Sequence, residues 1–295
     1  MTVAAYAKVN LTLEVYGKRP DGYHALRSLV APISLADSLD VELTEDGKIT
    51  SDTGYPDDLC VKAARKLFDC SECSIDRLPD GKLPGVRVRV QKRIPVGGGL
   101  GGGSADAAAT LRALNELCHL GLTPEKLAEI GADVGSDVPA LVLAQHYCRP
   151  VLMEGRGERV SLFNGTISQS NIAGNLSISQ SNNPNILNNR TLHLVLANPG
   201  IPVSTAEVYR LCVPRTAPTE AWVNDLQAPA VKLHPEIART LGALVAVGAA
   251  DVRMSGSGAT CFGFASDEDA ADKMSAALNV HGLRAYSVCT LGPKV

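Results

Sequence analysis

Pro95-Val96-Gly97-Gly98-Gly99-Leu100-Gly101-Gly102-Gly103-Ser104-Ala105-Asp106-Ala107-Ala108-Ala109 is the stretch whose reading decides this chain. Six glycines in seven positions run straight into good helix formers. Glycine lets a backbone turn through positive φ and approach a ligand with no Cβ in the way. A helix start presents unpaired N–H groups and the positive end of a dipole, so the combination predicts a cradle for an anion such as phosphate. The bland alternative is a flexible linker, and the flanks argue against it. Lys92-Arg93-Ile94-Pro95-Val96 reads as a strand end and Ser104 to Cys118 as a helix, whereas a linker separates weakly patterned polar segments. The loop is not the Gly-x4-Gly-Lys-Ser/Thr type, because Ser104 stands where lysine is required. Gly-x-Gly-x-x-Gly occurs in it only trivially, so a dinucleotide site gains little support.

Upstream, Val9 to Gly17 alternates apolar and polar residues and reads as a half-buried strand, followed by a Pro20-Asp21-Gly22 turn. Further strands are predicted at Ser28 to Ile33, Ser38 to Leu43 and Pro84 to Gln91, and a helix over Leu59 to Phe68. Downstream, Thr123-Pro124-Glu125 has the cap, proline and acid of a helix start. Ser136-Asp137-Val138-Pro139 reads as a turn before the apolar Ala140 to Ala144. A buried strand is predicted at Leu192 to Gly200, helices at Ser204 to Leu211, His234 to Val247 and Asp267 to Leu278. Val252 to Phe264 reads as strand, glycine turn, strand, and Ala285 to Thr290 as a last strand. Adjacent antiparallel strands mixed with helices, without a regular βαβ repeat, indicate the α+β class.

From Asn164 to Arg190 the composition changes to Asn, Ser, Gln and Gly, and Ile167-Ser168-Gln169-Ser170-Asn171 recurs as Ile178-Ser179-Gln180-Ser181-Asn182. Such a segment buries little apolar surface and shows no helical or strand period, so the expectation is a disordered or loosely held insertion at a surface loop. The chain then divides into an N-terminal domain at 1–163, the insertion at 164–190 and a C-terminal domain at 191–295.

With 45% hydrophobic and 20% charged residues among 295 and a net charge of −3, the composition is that of a globular protein with no electrostatic footprint for nucleic acid. No apolar run approaches a membrane span, and the first strand begins too soon for a signal peptide, so the cytoplasm is expected. The eight cysteines are expected to be reduced thiols. Cys70-x-x-Cys73 has no second Cys or His pair to complete a metal site.

Taken together, the glycine stretch is similar to the ATP loop of the GHMP kinases, a superfamily of small-molecule kinases. Ala7-Lys8-Val9-Asn10-Leu11, Asp21-Gly22-Tyr23-His24, Gly135-Ser136-Asp137-Val138-Pro139 and Ser255-Gly256-Ser257-Gly258-Ala259-Thr260 resemble the branch whose acceptor is 4-diphosphocytidyl-2-C-methyl-D-erythritol, an alcohol of the non-mevalonate isoprenoid pathway. The resemblance covers nearly all of the chain outside the insertion. It implies a two-domain fold, with an N-terminal domain like the second domain of ribosomal protein S5 and a ferredoxin-like C-terminal domain. It implies ATP with Mg²⁺ as co-substrate, an acceptor carrying a cytidine diphosphate group, and a monomer or weak homodimer.

By the same resemblance Asp137 is the catalytic carboxylate and Lys8 the cation that keeps it ionised. Each has a bland alternative, a helix cap for Asp137 and a solvated strand residue for Lys8. Residues 95–105 (Pro95, Val96, Gly97, Gly98, Gly99, Leu100, Gly101, Gly102, Gly103, Ser104 and Ala105) and Lys92 would bind ATP. Asp58 falls on the adenosine side, where an amide is expected, and Gly97 stands where alanine is common. Tyr23 and His24 would recognise the cytosine, with Tyr209 stacking on its other face. Asn10 and Thr205 would hold the methylerythritol end. No protein ligand is assigned to Mg²⁺, Ser104 being the one candidate. The alternatives are a kinase of the same fold acting on homoserine, mevalonate or a sugar, and a catalytically silent nucleotide or metabolite sensor. Intact Lys8 and Asp137 argue against the last.

Overall fold

The computed structural model describes residues 1–20, 22, 24–70, 73, 75–76, 79–169, 176–180, 191–219 and 223–292. The N-terminal half is built on one strand. The two segments expected at Ser28 to Ile33 and Ser38 to Leu43 are a single 21-residue strand, which becomes β3 (His24–Thr44) after β1 (Thr2–Asn10) and β2 (Glu14–Lys18). β2 and then β1 pair along one edge of β3, so the strand expected at Val9 to Gly17 is split around Leu11 to Leu13. The other edge takes β5 (Gly85–Gln91) and β6 (Val151–Gly155), with β4 (Ile49–Ser51) parallel to β5 and β7 (Arg159–Leu162) outside β6. Pro32 survives within β3 because it lies between Val30, the last partner of β6, and Ser38, the first partner of β5. At that point the edge carries only the isolated bridge Ile33–Thr290, where Leu291 N–H donates to Pro32 O, so the missing N–H interrupts no continuous ladder.

Helices α1 (Leu59–Phe68), α2 (Gly102–Leu117), α3 (Pro124–Ala132) and α4 (Val138–Tyr147) pack into the same core. The alanines of α2 at 105, 107, 108 and 109 are fully buried, and their small size lets α2 lie close against β1, β3, α1 and α4. Thr123 caps α3 as its spacing predicts, its Oγ1 accepting from the N–H of Lys126 at 3.2 Å. The apolar stretch after Asp137 proves to be α4. It is buried from Val138 to Gln145, so it carries no amphipathic period by which sequence reading could have found it.

The second half is a four-stranded antiparallel sheet of β10 (His193–Asn198), β11 (Ala250–Met254), β12 (Cys261–Ala265) and β13 (Arg284–Cys289), in the order β11-β12-β10-β13. With α5 (Thr205–Leu211), α6 (Gln227–Leu233), α7 (Pro235–Ala246) and α8 (Glu268–Val280), it has the β-α-β-β-α-β chain order of ferredoxin-like folds. Phe262 and Phe264 meet edge to face at 5.8 Å.

Between the halves, the reading of an insertion without a strand period needs correction. β8 (Gly165–Gln169) and β9 (Leu176–Gln180) form an antiparallel hairpin whose register sets Ile167 against Ile178. These are corresponding residues of the two repeat copies, so the duplication supplies a strand with its own partner. Ile167 joins the N-terminal core, giving the hairpin the apolar anchor that composition alone did not suggest. Residues 170–175 and 181–190 of the insertion lie outside the described residues.

Candidate active site

The glycine loop joins β5 to α2 with Gly97, Gly99 and Gly101 at φ of 66°, 76° and 69°, the left-handed region open to glycine. Its carbonyls are turned into the protein. Gly98 O accepts from Thr260 N–H (3.1 Å), Gly99 O from Ser255 Oγ (3.0 Å), Leu100 O from Lys8 N–H (3.1 Å) and Gly101 O from Ala105 N–H (2.8 Å). Among the described residues, no N–H from Gly97 to Ser104 donates to a protein acceptor. A row of free donors ending at the N-terminus of α2 is the electrostatic form of an oxyanion site. It opens onto a cleft of about 500 Å³, walled by the loop, Lys92, Asp106 and the segment from Thr53 to Cys60.

Among the expected loop contacts, one is narrowed and one corrected. Leu100 turns its side chain into the core, so only its N–H remains among the loop's free donors. Ala105 is buried too, and its N–H donates to Gly101 O, so it offers no group to a ligand.

Lys8 reaches the far side of this loop from β1. The β1–β3 register shifts between Tyr6 and Lys8, a bulge that frees the Lys8 N–H for Leu100 O. The Lys8 side chain is 3% exposed, and its Nζ lies 3.4 Å from Asp137 Oδ2 and donates to Asn10 Oδ1 at 2.5 Å. Asn10 Nδ2 donates to Ser28 Oγ (2.8 Å), which donates to Thr12 O, and Asn10 N–H donates to Ser255 Oγ at 3.2 Å. Lys8 is therefore no solvated strand residue. Asp137 occupies the N-cap position of α4, yet its side chain makes no capping bond. The carboxylate faces Lys8 and the solvent instead, with 32% of the side chain exposed. Behind it, Gly157 in the β6–β7 turn lies so close that a Cβ there would meet Ser136 O at 2.2 Å, which fixes the residue before Asp137.

Lys92, read as an ATP contact, lines the cleft, but its ammonium is shared between Asp37 Oδ2 (2.5 Å) and Asp106 Oδ2 (2.8 Å). Asp58 answers the question of its missing amide. Oδ1 caps α1 by accepting from Cys60 and Val61 N–H at 2.7 and 3.1 Å, and Oδ2 accepts from Thr53 Oγ1. Replacing Asp58 by Ala is expected to cost about 1–2 kcal/mol in urea unfolding, while Asn stays within about 0.5 kcal/mol. Equal losses would show that the cap is not its role.

Of the residues expected to hold the acceptor, Thr205 has its Oγ1 2.8 Å from Ser257 Oγ. His24 and Tyr209 stack directly on one another, with ring centroids 5.6 Å apart at 25°. That is contact distance for an aromatic pair, with no space for a third ring between them, so the open Tyr209 face expected for two-sided stacking is partly taken by His24. Burial pushes the Tyr209 phenol up, and the Asp137 carboxylate adds to it, which places this ring pair within electrostatic reach of the Lys8–Asp137 pair. Tyr23 lies outside the described residues. Among the described residues no group of three or more His, Cys, Asp or Glu side chains could hold a metal ion.

Sequence reading missed Asn224, whose Nδ2 donates to Met254 O and Gly256 O at 2.7 and 2.8 Å and so holds the Ser255–Thr260 turn. It also missed Ser28, Gly157 and Asp37. Each acts through a partner distant in sequence, and no local motif marks it.

The family models for the GHMP kinases N terminal domain and the GHMP kinases C terminal match residues 58–145 and 217–282. The chain is 35% identical to a 4-diphosphocytidyl-2-C-methyl-D-erythritol kinase of Brevibacillus brevis over 91% of this chain and 88% of that one. It is 36% identical to the kinase of the same name from a Geobacter species over 92% and 91%. A solved 4-(cytidine 5'-diphospho)-2C-methyl-D-erythritol kinase superposes with a TM-score of 0.76 at 32% identity, covering 99% of this chain and all of that one. A homoserine kinase from Cytophaga hutchinsonii shares the fold at a TM-score of 0.68 and 17% identity. The chain is therefore a small-molecule kinase of the GHMP superfamily, and it belongs to the 4-diphosphocytidyl-2-C-methyl-D-erythritol kinase family.

Proposed function

We propose that this chain transfers the γ-phosphoryl group of ATP to the 2-hydroxyl of 4-diphosphocytidyl-2-C-methyl-D-erythritol. The observation that carries the reading is the placement of the Lys8–Asp137 pair between a loop of free N–H donors and the His24–Tyr209 rings. ATP enters the cleft beside Lys92, its β- and γ-phosphates on the N–H groups of Gly97 to Ser104. Phosphoryl transfer needs little covalent help from a protein, so alignment and charge stabilisation carry most of the rate. The acceptor hydroxyl sits at Asp137, which takes its proton as the oxygen–phosphorus bond forms, while ADP leaves with the bridging oxygen. Lys8 pairs with Asp137 and balances negative charge on the transferring group.

Asn10, locked by Lys8, Ser28 and Ser255, holds the methylerythritol end with Thr205, and His24 and Tyr209 mark the cytosine end. Tyr23 adjoins them in sequence. Mg²⁺ would neutralise phosphate charge. Ser104 and Asp137 would be the side chains to hold it. The likeness to homoserine and mevalonate kinases, at 17% and 18% identity, is one of fold alone. The protein is expected to act in the cytoplasm; no described helix is long and apolar enough to cross a membrane.

The test is a coupled ADP-release assay. Purified protein with ATP and Mg²⁺ is expected to turn over the cytidylated acceptor, at least about a hundredfold better than homoserine or mevalonate, because a site with buried polar groups rejects analogues that leave them unpaired. Cytidine diphosphate is expected to compete with that acceptor. Comparable turnover of homoserine, or no competition, would overturn the assignment.

A further inference from the structure

Asp106 lies in the glycine stretch, yet phosphate binding does not account for it. It sits in the second turn of α2, 3% exposed, with Oδ2 accepting from Lys92 Nζ and Oδ1 buried without a hydrogen-bond partner among the described residues. On the other side of the ammonium, Asp37 of β3 is 1% exposed. Its Oδ2 accepts from Lys92 Nζ, and its Oδ1 accepts from the N–H groups of Arg93 and Ile94 at 2.5 and 2.9 Å. Both ends of the phosphate loop therefore hang on one ammonium: the strand-to-loop joint through Asp37, and the start of α2 through Asp106.

The charge count is unbalanced. One cation serves two buried carboxylates in the wall of a cleft that admits a polyanion, and Lys92 and Asp106 both line that cleft. The other groups facing Asp106 come from α1 and its cap. The Cys60 thiol is pushed up by burial, with the Asp106 and Asp58 charges adding to it, so it stays neutral. Burial works against ionised Asp58, but hydrogen bonds from Thr53 and Val61 N–H hold its carboxyl below the usual range, so it contributes a further negative charge. Nothing but Lys92 offsets Asp106.

We propose that Asp106 is a proton-linked positioning residue for ATP: nucleotide binding is accompanied by uptake of one proton from water on its unpartnered Oδ1, which brings the Asp37–Lys92–Asp106 cluster from a net charge of −1 to neutral beneath the phosphates. The inference rests on the reading of this cleft as the ATP site. Burial pushes the Asp106 carboxyl up to about 7, Lys92 pulls it back, and the Asp37 carboxylate beside it adds to the rise. A bound polyanion favours the protonated form. By linkage, ATP then binds best below pH 7 and progressively less well as pH rises through it.

Two measurements test this at saturating Mg²⁺ and acceptor. Between pH 6 and 8.5 the KM for ATP of the wild type is expected to rise at least roughly threefold more than that of Asp106→Asn, whose amide imitates the neutral carboxyl. The KM for the acceptor should not follow, which separates this role from a general weakening of the fold. Titration calorimetry of ATP into the wild type in buffers of different ionisation enthalpy should show proton uptake near pH 7.5, and this arm needs no variant. Parallel pH profiles for the two proteins, or absence of that uptake, would overturn the inference. Absence of any ATP binding to the wild type would instead overturn the reading of the cleft.

Discussion

Asp137→Asn is expected to lower kcat by about three orders of magnitude, the scale on which a positioned proton acceptor acts. The variant keeps the shape of the side chain and α4 loses no cap, because Asp137 makes no capping bond. What it loses is the negative charge 3.4 Å from Lys8 Nζ and the capacity to receive a proton. The KM values for ATP and acceptor are expected to move by less than about fivefold, since the loss falls in the transition state rather than the ground state. Steady-state kinetics with a circular dichroism spectrum as the folding control reads both. A variant that keeps more than about a tenth of the wild-type kcat would reduce Asp137 to an electrostatic bystander. Lys8→Met should also lose activity, and in addition it strands Asn10 Oδ1 without its ammonium partner. Its structural cost is larger, so Asp137 is the cleaner test.

How much of this arrangement could be read from the chain depends on the range of each interaction. The glycine loop, the α3 cap at Thr123 and the strand ending at Gln91 are local, carried by neighbouring residues, and all three were legible. β3 reads from sequence as two segments, Ser28 to Ile33 and Ser38 to Leu43. Only the sheet reveals one continuous strand, held along β1 while the ladder on its other edge passes from β6 to β5. α4 was hidden by its complete burial, which erases the period that marks a surface helix. The hairpin in the insertion was hidden because its stabilising partner is its own repeat copy, with Ile167 reaching a core formed elsewhere.

At the site, Lys8 and Asp137 were found by family resemblance; the spacing between them says nothing of contact. The residues that support the site, Asn224, Ser28, Gly157 and Asp37, act across 18 to 57 positions and have no sequence signature. Ala105 shows the converse, its N–H being donated to Gly101 O. A motif names a stretch, while hydrogen bonding decides which of its members face the ligand.

The loop also offers the sharpest contrast between two glycines, and with it the second large effect. At Gly97 (φ 66°) a Cβ would meet nothing within 4 Å, so Gly97→Ala carries only the left-handed backbone penalty of about 1–2 kcal/mol. At Gly99 (φ 76°) the same penalty applies, and the Cβ would also stand 2.2 Å from Ser255 O and 3.0 Å from Gly258 O. Neither atom is the end of a flexible side chain. Relief requires moving the Ser255–Thr260 turn, which Asn224 holds through two carbonyls and which itself fastens Gly98, Gly99 and Asn10. Gly99→Ala is therefore expected to destabilise by about 3–5 kcal/mol, adding an overpacking cost to the backbone one. It should raise the KM for ATP at least tenfold by turning loop N–H groups out of line. It should also impair the acceptor, because Asn10 and Thr205 depend on the same turn through Ser255 and Ser257. Urea unfolding and two-substrate kinetics on both variants decide it. If Gly99→Ala matched Gly97→Ala in both, the glycine would serve only the loop's own conformation. A larger loss confined to Gly99→Ala, spreading to both substrates, means that the donor loop and the acceptor site share one clamp across the two halves of the chain.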